Sequence, residues 1–304
     1  MTSPAIGSSP STQPAATPRQ KGRKEYGKLW TIGPVAVWMC LLFVLPMLLV
    51  VAVSFFSRST FGGIVLPLTL ENYARFFDPL YFKIIWVSCV LAFFTTLCCL
   101  ILGYPFAYII ARSPLKYRNI LMLLIIVPFW TNSLIRTYAW VVLLRTEGVI
   151  NTFLLQIGLI DQPLALLYND TAVLIGLVYT MLPFMVLPLY ASIEKLDRSL
   201  LEASRDLGAK PWQSFVRVTL PLTSPGIMAG SLLVFIPSLG LFFIPDLMGG
   251  SKTILIGNLI KNQFLTARDW PFGSASSIVL MALTLVFIAV YIMVTKDKQG
   301  KGLV

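Results

Sequence analysis

Long apolar runs alternate with short polar segments along nearly the whole chain, and that alternation sets the architecture. Counting runs of about twenty predominantly apolar residues as bilayer crossings predicts six helical spans, at roughly 31–56, 84–110, 119–143, 171–191, 226–248 and 273–294. The predicted class is an all-α membrane protein with six transmembrane helices. The first run, from Thr31 to Phe56, is longer than the apolar part of a signal peptide, and no small-residue cleavage site follows it, so it reads as a retained span. Ahead of it, residues 1–28 are rich in Ser, Pro, Thr and Ala and turn basic from Arg19 to Lys28. Such a composition cannot bury a core and predicts a disordered cytoplasmic tail, leaving 29–304 as one six-span domain.

Several prolines fall within the runs: Pro46, Pro105, Pro128, Pro183, Pro188, Pro237 and Pro245. Each removes an intrahelical bond, and in lipid the freed carbonyl needs a partner or a water-lined cavity. Helices bent around a path are therefore expected. Gly226-x-x-x-Gly230 at the start of the fifth run reads as a packing motif that lets two helices approach closely.

One polar island interrupts the lipid-facing pattern. Residues 192–221 carry nine charges. Ser199-x-x-Glu202 reads as a capping box that starts a short helix, and Gly208 closes it in a left-handed conformation. Pro211 then suits the first turn of a second helix, which Leu220-Pro221 is expected to end. Read from the residues alone, the island is either an amphipathic connector or a pair of short helices presented to a partner.

Composition agrees with the membrane class and narrows the chemistry. The chain has 304 residues, 57% of them hydrophobic and only 12% charged, against about a quarter charged in soluble domains. It contains no histidine, so the usual general base and commonest metal ligand are missing. Cys40, Cys89, Cys98 and Cys99 lie inside apolar runs without metal-site or extracellular spacing and read as small apolar fillers. The net charge of +11 is explained by topology rather than nucleic acid. With both ends cytoplasmic, inside segments hold sixteen Lys and Arg and outside segments eight, as the positive-inside rule requires. The island at 192–221 is then cytoplasmic.

Two places could line a path. Asp246 is the carboxylate inside an apolar run, in Phe242-Phe-Ile-Pro-Asp-Leu-Met248; such residues face a cavity or a cationic partner. With Phe242 and Phe243, whose faces attract cations, it makes a sensible site for an organic amine; the alternatives are a solvated carboxylate at the outer interface and aromatics used for packing. In the third run, Trp130, Asn132 and Ser133 either line the same cavity or mark the outer interface. Arg136 is expected to turn outward or pair with a carboxylate. The outer stretch Leu70-Glu-Asn-Tyr-Ala-Arg-Phe-Phe77, and the apolar pieces of the loop 145–170, read equally as interfacial segments or as a surface for an external partner.

Glu202-Ala203-Ser204, three residues, Gly208, nine residues, then Val218-x-Leu220-Pro221 resembles the EAA loop of bacterial ATP-binding-cassette (ABC) importer permeases, Glu-Ala-Ala-x3-Gly-x9-Ile-x-Leu-Pro. Ser204 and Val218 depart from that pattern and nearly keep its sizes. The stretches Pro128–Tyr138, Pro183–Tyr190, Asp246–Gly250 and Arg268–Gly273 resemble the spermidine/putrescine permease branch, and the similarity runs from about Leu29 to Val294. The resemblance implies a MetI-like ABC type I importer permease fold in the bacterial inner membrane. It implies two ABC ATPase subunits as partners, which use the ATP and Mg while this chain binds no cofactor or metal. A second, homologous permease subunit and a periplasmic polyamine-binding protein complete the implied machine. Glu202, Ala203, Ser204, Gly208, Leu220 and Pro221 would form the ATPase-coupling loop, and Asp246, Phe242 and Phe243 would guide polyamines. Related branches that move ferric iron, sulfate or aminoethylphosphonate share the loop.

Other classes fit less well. A membrane enzyme would need a catalytic constellation, and with no histidine, no metal-spaced cysteines and no paired intramembrane carboxylates the sequence offers none. Gly250-Ser-Lys-Thr253 fails as a phosphate loop, which needs Gly directly before Lys. An ion-coupled secondary transporter often has more spans and internal repeats and has no need of an ATPase-docking loop.

Overall fold

The structure is a computed structural model in which residues 33–59, 62–250 and 252–300 are described; the predicted tail, 1–28, lies outside them. The chain divides into two units, residues 1–49 and 50–304. Helix α1, Gly33–Ser54, is apolar around its circumference and long enough to cross a bilayer. It contains a wide π-helical turn, Cys40–Val44, closed by the Leu45 N–H on the Cys40 carbonyl, which ends two residues before Pro46. A proline crowds the carbonyl four residues back and leaves it unbonded; widening the turn just upstream lets the helix continue.

In the second unit a small hairpin follows, β1 (Phe56–Arg58) against β2 (Ile64–Leu68), with Ser57 opposite Val65. This hairpin is the departure from the all-α expectation among the described residues. A short helix α2 (Glu71–Ala74) leads into α3 (Pro79–Arg112), whose start is capped by Asp78, its carboxylate accepting from the Leu80 N–H at 2.9 Å. At 34 residues it is about 50 Å long, more than the ~30 Å hydrocarbon core needs. After α4 (Leu115–Trp130), α5 (Ser133–Leu144) and α6 (Val149–Gln156) comes α7 (Asp170–Glu194), capped by the Asn169 carboxamide on the Ala172 N–H at 2.8 Å. The island forms α8 (Arg198–Asp206) and α9 (Pro211–Leu222); α10 (Ser224–Gly240), α11 (Ile256–Leu265) and α12 (Trp270–Gly300) complete the fold.

The core is α3, α7 and α10. Cys99, Ala107 and Ile110 of α3 interlock with Met185, Val186, Leu189 and Ile193 of α7 and Val234 of α10. The approach is close because glycines face it: a Cβ on Gly226 would lie 2.4 Å from Ser192 Cβ and one on Gly230 2.8 Å from Met185 Sδ. The Gly226-x-x-x-Gly230 packing reading therefore holds. A second cluster joins Leu144, Val173 and Leu177 to Ile244, Met248 and Leu255.

Among the described residues four helices are long and apolar enough to cross a membrane unbroken, and counting each of two bent pairs as one span brings the number to six. The third span, expected as a continuous 119–143, is one of these pairs, bent by 92°. Pro128 sits in the last turn of α4, Thr131 is extended, and the Asn132 carboxamide accepts from the Leu134 N–H at 2.8 Å to start a new helix. The fifth span, expected at 226–248, is helical only to Gly240. Pro237 removes a bond near the end, Leu241 is extended, and a separate wide turn, Pro245–Gly249, follows. Pro221 does not end α9: the turn Phe215–Thr219 widens just ahead of it, closed by Leu220 N–H on the Phe215 carbonyl, and the 64° break falls at Thr223.

These contacts predict a contrast. Gly226→Ala should cost about 1–3 kcal/mol through overpacking against Ser192 and the Pro188 carbonyl, seen as a lower thermal unfolding temperature in detergent. Gly240→Ala, whose added Cβ meets only Leu280 Cδ2 at 3.9 Å, should leave that temperature nearly unchanged.

Candidate functional site

The island folds as a helical hairpin. Asp197, not Ser199, caps α8, its carboxylate accepting from the Ser199 N–H at 2.9 Å; the expected Ser199–Glu202 capping box is displaced because Asp197 takes the cap position two residues earlier. That backbone bond, with the Ser199 hydroxyl, holds the Asp197 carboxyl below its ordinary range. The cap is therefore charged near neutrality, and its stabilisation is lost only as pH falls through the lowered value.

At the other end of α8 the chain turns on Gly208, φ +81°. Gly208 N–H reaches the Arg205 carbonyl at 2.8 Å and Ala209 N–H the Ser204 carbonyl at 3.0 Å, which is a Schellman closure. An added Cβ at Gly208 would meet nothing within 4 Å, so backbone conformation alone, not space, demands glycine there. Ser204 ties the two helices together: its Oγ lies 2.8 Å from Ser214 Oγ. The departure from Ala at this position thus adds a bond. Ala203 and Glu202 lie on the same short helix, and Glu202 lines a pocket of about 220 Å³ with Arg205, Tyr108 and Arg112. Apolar side chains remain uncovered on the hairpin, with Leu207 88% and Trp212 72% exposed; Leu220 is also exposed, beside Pro221.

Asp246 lies in the turn Pro245–Gly249. Its carboxylate pairs with the Lys261 ammonium through Oδ2 and accepts from the Asn258 carboxamide through Oδ1. Asn258 and Lys261 are three apart on α11 and so share a face. Asn258, nearly fully buried, also donates to the Phe242 carbonyl at 2.8 Å. Phe242 is exposed and meets Phe243 edge-on, ring centroids 6.2 Å apart; Phe243 packs against the second core cluster. The structure thus brings Asp246, Phe242 and Phe243 together, and of the two environments expected for the carboxylate it supplies the cationic partner.

The third-span patch stands apart. The helix that Ser133 opens, α5, packs on the Asp246 turn, with Leu144 at its far end sharing a cluster with Met248. Those eleven residues separate Ser133 from Leu144 by roughly 16 Å of helix. Asn132 spends its carboxamide oxygen as the cap, and Trp130 is 79% exposed. Arg136 neither turns outward nor meets a carboxylate. Its guanidinium stacks over Phe129 at 5.3 Å and Tyr179 at 5.8 Å, as a weakly hydrated planar cation can.

Sequence reasoning missed the anchor of the segment 57–83. Asp269 is fully buried, 2.8 Å from Arg75 Nη1 and 3.8 Å from Arg58 Nη1. Arg75 also lies 3.7 Å above the Phe272 ring. Burial pulls the Arg75 pKa down, but the hydrogen bonds and charges of Asp269 and Tyr81 together outweigh it and the net shift is upward. The stretch 70–77 is therefore pinned to the start of α12 by an ion pair, with Leu70 and Phe77 left exposed. Lys261 and Asn258 were also missed. The signal lay in their three-residue spacing beside an apolar carboxylate, legible only once α11 is known to face it.

With this geometry in place, comparison with known proteins decides the family. A family model described as "Binding-protein-dependent transport system inner membrane component" matches residues 103–297. The chain belongs to this family. It is 53% identical over 254 residues to the Spermidine/putrescine transport system permease protein PotB of Escherichia coli (strain K12), covering 84% of this chain and 92% of that one. To the protein of the same description from Haemophilus influenzae it is 49% identical, covering 86% and 91%. A solved bacterial alginate ABC transporter, in complex with an alginate pentasaccharide-bound periplasmic protein, shares the fold with a TM-score of 0.73 at 18% identity, covering 88% of this chain and 93% of that one. As a member of the binding-protein-dependent family, the chain is a multi-pass inner-membrane permease of an ABC transporter, not an enzyme, and works with an ATPase and a substrate-binding protein.

The buried anchor is directly testable. Asp269→Asn should strand the Arg75 charge and lower stability by about 2–4 kcal/mol, less than a fully buried pair because Arg75 is partly exposed. Arg75→Met in that background should recover part of the loss in the same unfolding measurement.

Proposed function

We propose that this chain forms one half of the membrane path of a polyamine importer, taking up spermidine and putrescine across the inner membrane. The observation that carries this is the 49–53% identity, over more than four fifths of the chain, to permeases described as spermidine/putrescine systems. The second half is a homologous permease subunit, and a periplasmic polyamine-binding protein delivers substrate. Two ABC ATPase subunits hold ATP and Mg, and this chain binds neither. Both termini are cytoplasmic, which puts the α8–α9 hairpin on the ATPase side.

In this reading the hairpin, with Glu202, Ala203, Ser204, Gly208, Leu220 and Pro221, docks on an ATPase. Its exposed Leu207 and Trp212 supply apolar area that water would otherwise cover. ATP-driven closure moves the hairpin and the bent spans carry the motion to the path. The binding protein releases substrate there, where Asp246, Phe242 and Phe243 receive an ammonium, with Trp130, Asn132 and Ser133 further along; hydrolysis resets the inward-facing state.

Uptake of labelled spermidine and putrescine by the reconstituted complex tests the whole reading. ATP-dependent accumulation is expected, and binding-protein-stimulated ATPase without polyamine uptake would send the substrate to another branch of the family. Asp246→Asn should lower uptake about tenfold, the factor ~1.4 kcal/mol corresponds to, while the complex still co-purifies. Gly208 separates conformation from space. Gly208→Val, forced into the left-handed region at about 1–2 kcal/mol, should cut stimulated ATPase activity several-fold. Gly208→Asn, which visits that region readily and has room, should retain most of it; equal loss in both would deny the turn its role.

A further inference from the structure

The ion pair at Asp246 has a chemical identity that matters to a path for amines. Lys261 presents to Asp246 a primary ammonium on a chain of four methylenes, which is one end of a 1,4-diaminobutane molecule in all but its attachment. We propose that Lys261 is an internal stand-in for the substrate: it occupies the Asp246 carboxylate when the path is empty, and an incoming polyamine ammonium displaces it. The proposal rests on the polyamine-path reading and deepens it by naming the residue that sets how tightly the path holds its substrate.

Three features of the site support exchange rather than a fixed structural bridge. The Asp246 and Lys261 side chains keep 31% and 27% of their surface exposed, unlike Asp269, which is fully buried against Arg75. An ammonium from outside therefore has access to the pair. Asn258 holds Asp246 through Oδ1 and the Phe242 carbonyl through the same carboxamide nitrogen, so the carboxylate stays oriented when Oδ2 changes partner. Phe242, whose carbonyl accepts the Asp246 N–H at 3.1 Å, is exposed, and its ring face suits a cation in transit.

The arrangement meets two needs of a transport site. An unpaired carboxylate in an apolar run is costly, and Lys261 removes that cost between cycles. A carboxylate free to bind a diammonium ion would also release it slowly, whereas a tethered competitor returns to expel it. Lys261 thus lowers affinity and speeds release. It acts through Asp246 as a positioning residue and lies outside the coupling hairpin.

Equilibrium binding of labelled putrescine to the detergent-solubilised membrane complex, without binding protein, reads this site alone. Lys261→Met removes the competitor and should tighten binding about fivefold, the factor that ~1 kcal/mol of a partly exposed ion pair represents. It should also slow uptake in the reconstituted importer. Lys261→Arg, a bidentate partner for the carboxylate, should weaken binding instead. A merely structural bridge would not give opposite signs. Both variants shifting the same way, or neither shifting, overturns the proposal. If Lys261→Met fails to assemble, Lys261→Arg decides: unchanged or tighter binding overturns it. Asp246→Asn separates the two levels. If it binds putrescine like the unaltered complex, the Asp246 path reading itself fails; if it loses binding while the Lys261 variants do not diverge, only the stand-in fails.

Discussion

Every backbone polar group within a bilayer must find a partner inside the protein, and this chain repeatedly challenges that rule with proline. Its answers shape the fold. Ahead of Pro46 and Pro221 the helix widens for one turn and continues. After Pro128 and Pro237 it stops, and the chain recovers its bonds elsewhere. The Asn132 side chain caps the new helix after the first break, and the Asn258 carboxamide reaches the Phe242 carbonyl after the second. Breaks in the spans are therefore where polar side chains are needed, and so where a polar path can be built.

The Asp246 site shows how far one such repair can extend. The Phe242 carbonyl accepts the Asp246 N–H at 3.1 Å and also the Asn258 carboxamide, and the same carboxamide nitrogen reaches the Asp246 carboxylate. Lys261, about one turn further along the same face of α11, neutralises the carboxylate. The broken end of the span thus brings together a carboxylate, an amide and an ammonium in a segment that is otherwise apolar. The third-span patch stops at the first stage: Asn132 serves the backbone, and Arg136 lies against aromatic faces rather than a counter-charge, with its Nε buried and unbonded.

Much of this was legible in the sequence, for identifiable reasons. Spans follow from hydrophobic length, and the hairpin turn follows from Gly208, because its left-handed conformation is a local demand. The packing role of Gly226 and Gly230 was equally local. What escaped depended on contacts distant in sequence. Asp269 meets Arg75 across nearly two hundred residues, and Lys261 meets Asp246 only because α11 folds back on the broken span. The capping box failed for a smaller reason: Asp197 competes with Ser199 for one helix end, and the earlier residue takes the position. The breaks at 131–132 and 241–242 were foreshadowed by proline, but proline alone does not tell a widened turn from a stop. Pro221 was read as the stop, and the helix ends one residue beyond it, at Leu222.

The site of the remaining bend bears on how the α8–α9 hairpin can influence the apolar spans. Thr223 is fully buried, its hydroxyl 2.8 Å from the Thr219 carbonyl and 3.0 Å from the Tyr104 hydroxyl of α3. The 64° corner between α9 and α10 is thus held by the Thr223 hydroxyl, which bonds α9 and the core, and by the Thr223 carbonyl, which accepts the Gly226 and Ile227 N–H groups of α10. A corner held in this way passes displacement to α10 rather than absorbing it in a loose joint. Beyond the corner, Gly226 and Gly230 bring α10 so close to α7 that no gap remains at Ser192 or Met185. Close-packed surfaces slide or turn as bodies and do not compress, so α10 cannot move inward without α7 answering. Any displacement of the hairpin that reaches α10 would therefore meet α7 at once, and the glycines that allow the contact also make it stiff.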